Sequence, residues 1–220
     1  MTKQVEQVAT LPLSTSSLKE GGIARCPWPG INDPEYTRYH DEEWGVPKTD
    51  DRALFEKIIL EGFQAGLSWL TILKKRDNFR EAFHGFDPER IASYGQREQS
   101  RLMADVGIVR NRLKIEATID NARAYLKLRE TQSLARLIWS HFENGPIDNR
   151  FKTFNEVPAA TDTSKAISKE LKKHGFRFVG PTTVYAFMQA SGMVNDHLVT
   201  CPRHAPCAQL QATLVLDDFD

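Results

Sequence analysis

One glutamate lies where a helical pattern calls for an apolar residue. In the segment LEGFQAGLSW, residues 60–69, Glu61 falls within about 20° of Leu54 on a helical wheel, provided that the helix is continuous. Burial of an unpaired carboxylate is costly. Glu61 therefore needs a cationic partner, protonation, free backbone N–H groups or a cationic ligand. A structural ion pair, or a kink at Gly62 that returns Glu61 to water, is the alternative.

Aromatic residues are concentrated shortly before this glutamate. Trp28, Tyr36, Tyr39 and Trp44 lie within one short segment. Core packing is the ordinary role of such residues. Next to a buried carboxylate, however, aromatic faces and an anion at the edge are what a flat cationic ring would require.

Cysteine and histidine residues near both ends of the chain form a candidate zinc site. His197 and Cys201 are spaced i and i+4, so on a helix they would project from one face. Cys26 and His40 would complete a Cys₂His₂ set, whose ligand types favour zinc. With every position filled by protein, the zinc would be structural and would join the N- and C-terminal segments. Buried free thiols, solvent-facing histidines and a local set are the alternatives, the local set consisting of Cys201, His204 and Cys207.

The segment KKHGFRFVGPTTVYAFMQASG predicts a helix, a short glycine-containing hairpin and a second helix. In a helix-hairpin-helix, the backbone N–H groups of the hairpin and of the following helix N-terminus hold a DNA phosphate. Gly180 would let the backbone approach that phosphate, and Thr182 and Thr183 would add hydroxyl donors. A plain turn between packed helices is the alternative.

Helical periodicity runs through the elements that must position these residues. Apolar residues recur at helical spacing, Asp87-Pro88 and Pro181 read as helix starts, and alternating strand patterns are nearly absent. We therefore predict an all-α fold. A flexible N-terminal tail (1–24), a single domain of two helical lobes (25–204) and a C-terminal extension (205–220) are expected.

Composition excludes several classes of protein. Lys+Arg and Asp+Glu both number 29, so the chain is not a polycation, although a local basic face can still contact phosphates. No apolar run of membrane-spanning length occurs, and the N-terminus does not resemble a signal peptide. The three cysteines are too few and too far apart for a disulfide framework. We expect a monomer in the reducing cytoplasm.

Seven ordered segments, together with the cysteine that follows the last of them, resemble the DNA-3-methyladenine glycosylase I family. They cover about residues 25–201 and read RCPW, YHDEEWGVP, LEGFQAGLSWLTILKKR, FDPERIA, VGIVRNRLKI, GFRFVGPTT, YAFMQASGMVNDH and the following Cys201. The resemblance implies a helix-hairpin-helix glycosylase that flips 3-methyladenine out of double-stranded DNA and hydrolyses its N-glycosidic bond. It implies a monofunctional enzyme that leaves an abasic site and releases free 3-methyladenine.

Residue roles follow from the same resemblance. Glu61 matches the base-contacting glutamate, and Tyr39 and Trp69 match stacking aromatics expected to enclose the base, with Trp28 and Tyr36 nearby. The resemblance also implies one structural zinc per chain, held by Cys26, His40, His197 and Cys201.

Asp196 is a polar residue whose role the resemblance does not define. Asp196 lies near the position of a catalytic aspartate in other helix-hairpin-helix glycosylases, and we assign it a structural role, such as orienting a zinc ligand. The rival functions are a non-catalytic, zinc-stabilised DNA-binding module and a zinc hydrolase with an open coordination position.

Overall fold

The computed structural model describes residues 24–215. Most of the predicted flexible tail, 1–23, and the last five residues, 216–220, lie outside the described residues. Within the described part there are eleven α-helices and two two-residue strands, which confirms the all-α prediction. The helices are α1 (Pro34–Glu42), α2 (Asp51–Gln64), α3 (Trp69–Leu73), α4 (Arg76–Ala82), α5 (Pro88–Ala92), α6 (Gln96–Ala104), α7 (Arg112–Arg129), α8 (Leu134–Trp139), α9 (Asp162–Lys173), α10 (Pro181–Ala190) and α11 (His204–Ala212).

Side-chain caps start the helices that carry the site residues. The Asp33 carboxylate accepts the N–H groups of Glu35 and Tyr36, with Pro34 in the first turn of α1. Ser68 accepts the N–H of Thr71 at the start of α3. These caps satisfy N–H groups that have no partner inside the helix, and they fix where each helix begins.

Helix α2 is the central element and packs against α3, α7, α8 and α10. Leu54, Phe55 and Leu60 on α2 have no solvent exposure. The helix ends at Gln64, and Gly66 has a φ of +82°, so the chain turns before α3 begins. The continuous helix assumed through Trp69 is therefore wrong, because the turn exposes Ala65 and brings Trp69 back toward α2.

Helices α9 and α10 pack together and are joined by a tight turn over residues 174–180. Asn121 on α7 holds this turn: its side chain accepts the N–H of Arg177 at 2.6 Å and donates to the carbonyl of Arg177 at 3.1 Å. Phe178 has a φ of 56° and lies against Gly62 of α2, where an added Cβ would meet the Phe178 Cβ at 3.3 Å. Gly62 thus permits the close approach of α2 and the turn.

The C-terminal segment is tied to the domain by strands and by α11. Strand β1 (Ile147–Asp148) pairs in parallel with β2 (Val194–Asn195), with Ile147 opposite Val194. The predicted boundary between residues 204 and 205 falls at the first residue of α11, and Cys207 of that helix is fully buried. Among residues 24–215, none of the helices combines the length and the apolar character needed to cross a membrane.

Candidate active site

A cavity of about 400 Å³ opens between α1, the end of α2 and one face of α10. Its walls include Glu61 and most of the aromatic residues singled out in the sequence. The principal lining residues are Trp28, Tyr36, Tyr39, Glu61, Trp69, Thr182, Tyr185, Gln189 and Asp196.

One face of α1 supplies much of the aromatic wall. Tyr36, Tyr39 and His40 are spaced i, i+3 and i+4, so they project from the same side of the helix. Trp28 packs on Tyr36 with ring centroids 5.1 Å apart and lies 6.4 Å from Tyr39. Tyr39 contacts Trp69 at 5.4 Å. The turn after α2 therefore joins Trp69 to the wall that α1 presents.

Tyr39 and Trp69 do not enclose a base between them in this arrangement. Their rings are 5.4 Å apart and inclined by 44°, which is the range of direct contact between two aromatic side chains. Two rings in direct contact with each other leave no room for a third ring between them. The two rings instead form adjoining parts of one wall, so the expected sandwich is not the geometry observed.

Glu61 is buried at this wall, with only 4% of its surface exposed. A kink that returns it to water is thus excluded. Within residues 24–215, its carboxylate has neither a hydrogen bond nor a direct ion pair. Burial raises the pKa of Glu61 to about 7, although the charge of Lys57 acts to lower it. The carboxylate is therefore poised between its neutral and ionised forms at neutral pH.

Lys57 is a site residue that the sequence analysis missed. It lies one turn before Glu61 on α2 and is 5% exposed. Its Nζ lies 4.5 Å from the centroid of Trp69 and 5.0 Å from that of Tyr39. Burial lowers the pKa of Lys57 to about 8, and the charge of Glu61 opposes that shift. The i, i+4 spacing of Lys57 and Glu61 within one apolar stripe was the available sequence signal.

Asp196 also lines the cavity, and its carboxylate accepts three hydrogen bonds. Its carboxylate accepts from the Asn149 amide at 2.7 Å, the Tyr185 hydroxyl at 2.7 Å and the Gln189 amide at 2.8 Å. These three donors link the β1 region to α10. The contacts match a structural role, although none of them reaches a zinc-ligand side chain.

Three of the predicted metal ligands converge beside the aromatic wall. Cys26, His40 and Cys201 are buried, and their ligand atoms all lie within 4.8 Å of one another. The ring of His40 donates its Nδ1–H to the Asp41 carboxylate at 2.7 Å, while its Nε2 faces the Cys201 sulfur at 3.7 Å. A carboxylate behind a histidine in this way orients it as a metal ligand. The three residues form a metal-binding group compatible with zinc.

His197 adjoins this group, but not through the helix that its spacing predicted. Residues 196–203 form turns, so the i, i+4 helical argument for His197 and Cys201 is wrong. The His197 ring nevertheless meets the His40 ring edge-on at 5.0 Å. Its Nδ1 lies 3.1 Å from the Asn195 side-chain oxygen, and its buried Nε2 has no partner in the described structure. Burial lowers the pKa of His197 to about 3, so the ring is neutral and able to bind a metal.

The local alternative ligand set is not assembled. The His204 ring nitrogen Nε2 lies 3.0 Å from the Asn149 carbonyl oxygen. The Cys207 sulfur faces the Trp44 carbonyl at 3.8 Å. Neither residue belongs to the group formed by Cys26, His40 and Cys201.

The turn between α9 and α10 lies beside the mouth of the cavity. Thr182 lines the cavity, whereas an added Cβ on Gly180 would meet nothing within 4 Å. Gly180 is therefore not required by packing, and its backbone faces open space. The exposed Lys172 and Lys173, at the end of α9, form no ion pair with any described residue. The start of α10 thus borders the cavity, and the positive charge of Lys172 and Lys173 lies at the other end of the turn.

Comparison with known proteins relates this geometry to one family. The family model for methyladenine glycosylase matches residues 28–204. DNA-3-methyladenine glycosylase 1 of Escherichia coli (strain K12) is 51% identical over 180 residues, which cover 81% of this chain and 96% of that protein. A crystal structure of 3-methyladenine DNA glycosylase I aligns with a TM-score of 0.78 and 50% identity, covering 80% of this chain and 97% of that one. A Tyr-to-Phe variant of 3-methyladenine DNA glycosylase I in complex with 3-methyladenine aligns with a TM-score of 0.76 and 41% identity, covering 79% of this chain and 94% of that one.

Proposed function

The chain belongs to the methyladenine glycosylase family, and we propose that it excises 3-methyladenine from alkylated double-stranded DNA by hydrolysing the N-glycosidic bond. The observation that carries the residue-level proposal is Glu61, a buried carboxylate without a hydrogen-bonded partner that borders an aromatic cavity. DNA with alkylated adenine is the substrate, and free 3-methyladenine is a product.

Glu61 is the residue that selects a cationic base. Methylation at N3 makes adenine in DNA cationic, so its edge both attracts a carboxylate and donates from the amino group. The cation favours the ionised form of Glu61, whose pKa burial raises to about 7. Unmodified adenine is neutral and leaves the buried carboxylate uncompensated, which disfavours its binding.

The aromatic wall supplies the stacking surface. Trp69 and Tyr39 offer adjoining ring faces to one side of the base, and Trp28 and Tyr36 extend the same wall. A face of an electron-rich ring also attracts a cation. Stacking therefore adds to the preference that Glu61 establishes, because a charged base gains more from the wall than a neutral base does.

The positive charge of the base is the main reason that its glycosidic bond breaks. The C1′–N bond of a cationic base is weakened, because the base leaves neutral and needs no proton from the enzyme. Water then adds to the oxocarbenium-like sugar carbon. The Asp196 carboxylate already accepts three hydrogen bonds, which supports a structural role rather than activation of that water. No lysine nucleophile is required, so the enzyme is monofunctional and leaves an abasic site.

DNA is held by the segment α9–turn–α10 acting as a helix-hairpin-helix. The start of α10 presents free backbone N–H groups and the hydroxyls of Thr182 and Thr183, and Gly180 leaves room for a phosphate. Lys172 and Lys173 add positive charge at the same turn. Since Thr182 also lines the cavity, a phosphate held there would lie close to the flipped nucleotide.

A structural zinc ion is proposed for the group beside the wall. Cys26, His40 and Cys201 supply three ligands, and the partnerless Nε2 of His197 supplies the fourth. Two thiolates and two neutral imidazoles are a donor set that zinc prefers. With four protein ligands the metal provides cross-linking of the two chain ends and no chemistry. Metal analysis should find one zinc per chain, lost in Cys201→Ser and in His197→Ala. Retention of full zinc by His197→Ala would remove His197 from the ligand set.

The predicted location and assembly fit this function. We propose the reducing cytoplasm as its location, because reducing conditions keep the Cys26 and Cys201 sulfurs available to bind the zinc ion. We propose that the domain comprising residues 25–204 works as a monomer, because the cavity and the turn beside it are formed within one chain.

The direct test is release of bases from methylated duplex DNA, analysed by chromatography. We expect release of 3-methyladenine and retention of 7-methylguanine, and loss of release in Glu61→Gln with its fold intact by circular dichroism. DNA binding without release would instead support the non-catalytic DNA-binding module. Activity that is lost on gentle zinc removal, with folding intact, would support a zinc hydrolase.

A further inference from the structure

Lys57 is buried next to the proposed base site and has no part in the chemistry described above. Its ammonium donates a hydrogen bond to the Tyr39 hydroxyl at 3.4 Å and lies against the rings of Tyr39 and Trp69. A buried ammonium is costly unless charge or hydrogen bonds compensate it. One neutral hydroxyl and two ring faces compensate it in part. Glu61, one turn away on α2, is the anion whose charge most favours the charged form of Lys57.

We propose that Lys57 is a positioning residue that acts through Glu61: its buried ammonium favours the ionised form of the Glu61 carboxylate in the empty pocket, and it releases a proton to water when a cationic base enters. The inference rests on the proposed function, because it requires a cationic occupant. Only a proton moves. The ammonium becomes an amine, and the proton passes to bulk water.

The charges around Lys57 single out Glu61 as its partner. Four other groups on neighbouring elements act on it, namely the charges of Lys48, Arg76 and Glu43 and the hydroxyl of Tyr39. Glu43 is already bound to Arg76 by a two-fold ion pair, so its charge is largely compensated. Lys48 and Arg76 are cations and disfavour a charged Lys57. Glu61 is thus the facing anion that has no other partner among the described residues.

The two groups stabilise each other's charge, and neither is held strongly ionised. Burial lowers the pKa of Lys57 to about 8, and Glu61 opposes this. Burial raises the pKa of Glu61 to about 7, and Lys57 opposes this. The charge of Lys57 therefore increases the ionised fraction of the Glu61 carboxylate near neutral pH. The Lys57 ammonium can itself lose its proton in the same pH range at little cost in free energy.

Repulsion between two cations on the same aromatic rings is the reason that Lys57 would lose its proton. Lys57 does not line the cavity, whereas Tyr39 and Trp69 do, so the ammonium stands behind the rings on which a base would stack. Two cations against the same rings repel each other in a medium from which water is excluded. Neutralisation of Lys57 removes this repulsion and leaves one cation, the base, to pair with one anion, Glu61.

The test compares Lys57→Met with Lys57→Arg over pH 5.5–9.5, measuring kcat/KM for 3-methyladenine release. In Lys57→Met, Glu61 loses its counter-charge, so the acid limb should move up by about one pH unit and activity at pH 6.5 should fall about ten-fold. At pH 9 the variant should equal or exceed wild type, because Glu61 is ionised and no repulsion remains. Lys57→Arg should keep the acid limb but stay about ten-fold low at pH 9, because arginine cannot lose its proton.

A structural role alone would lower activity by the same factor at every pH, and parallel profiles for Lys57→Met and wild type would overturn the proposal. Carbon-13 titration of the Glu61 carboxyl tests the pair without catalysis: its pKa should be higher in Lys57→Met than in wild type. An unchanged pKa would also overturn the proposal. If wild type releases no 3-methyladenine, the proposed function fails, while this titration still decides the role of Lys57. Lys57→Gln replaces Lys57→Met if the latter does not fold.

Discussion

Glu61→Gln should make the protein more stable at alkaline pH while it abolishes base selection. Burial raises the pKa of this carboxyl from 4.5 to about 7, so the folded protein holds the proton more tightly than the unfolded chain. The stability that this proton contributes is fully present below pH 4.5 and is lost as pH rises to about 7. At 1.36 kcal/mol per unit, the loss amounts to about 3 kcal/mol at pH 8. Glutamine is neutral at every pH and avoids this loss.

The measurement is the free energy of unfolding in urea at pH 5, 6, 7 and 8 for wild type and Glu61→Gln. The advantage of the variant should grow with pH and reach on the order of 3 kcal/mol, reduced by whatever Lys57 loses with its partner. A difference that is the same at pH 5 and pH 8 would refute the reasoning. In Glu61→Gln the cationic base also loses its buried charge partner. Because that loss costs about 2 kcal/mol or more, kcat/KM for 3-methyladenine release should fall at least about 30-fold.

Glu43→Gln is the matched control, because folding lowers the pKa of the Glu43 carboxyl and raises that of the Glu61 carboxyl. Burial acts to raise the pKa of Glu43, but the hydrogen bond and charge of Arg76 hold it below its ordinary value. A lowered carboxyl pKa contributes stability that is present above pH 4.5 and is lost as pH falls further. Glu43→Gln should therefore destabilise the protein at pH 7, where Glu61→Gln does not.

Three further predictions concern the wall, the turn and the DNA-binding face. Trp69→Ala should lower kcat/KM about 5- to 150-fold, since base stacking contributes about 1–3 kcal/mol; an unchanged rate would exclude Trp69 as a stacking residue. Asn121→Ala should cost about 2 kcal/mol of stability in urea unfolding, because it removes two partly buried hydrogen bonds to Arg177, and should weaken DNA binding; a fully stable variant would refute this. Lys172→Gln and Lys173→Gln should each lower the slope of log K against log salt by about 1, whereas Lys165→Gln, at the other end of α9 and paired with Asp162, should leave it unchanged.

Local features of this fold were predictable from the sequence alone. The 3.6-residue periodicity predicted helices, and Asp87-Pro88 and Pro181 are found at helix starts, because caps and proline act within one turn of the chain. The burial of Glu61 was also predictable, since its place in the stripe depends only on residues of α2. The burial of Lys57 could have been inferred from its position on the same helix. It was missed because a lysine is ordinarily expected to be solvent-exposed.

Local sequence patterns did not predict how segments distant in the chain approach one another. The spacing of His197 and Cys201 predicted a shared helix, yet they approach Cys26 and His40 from turns, because the packing of distant segments determines where those turns lie. The i, i+4 argument was wrong, although both residues that it named contact His40.

The sequence by itself predicted an all-α fold, the starts of helices such as α5 and α10, and a carboxylate within an apolar stripe, because these depend on neighbours within a few turns. Only the tertiary structure decided that Tyr39 and Trp69 form one wall rather than two, that Lys57 stands behind it, and that Asp196 is occupied by three donors. Those relations arise where separate helices pack, and the distances and charges that follow from packing are absent from any linear pattern.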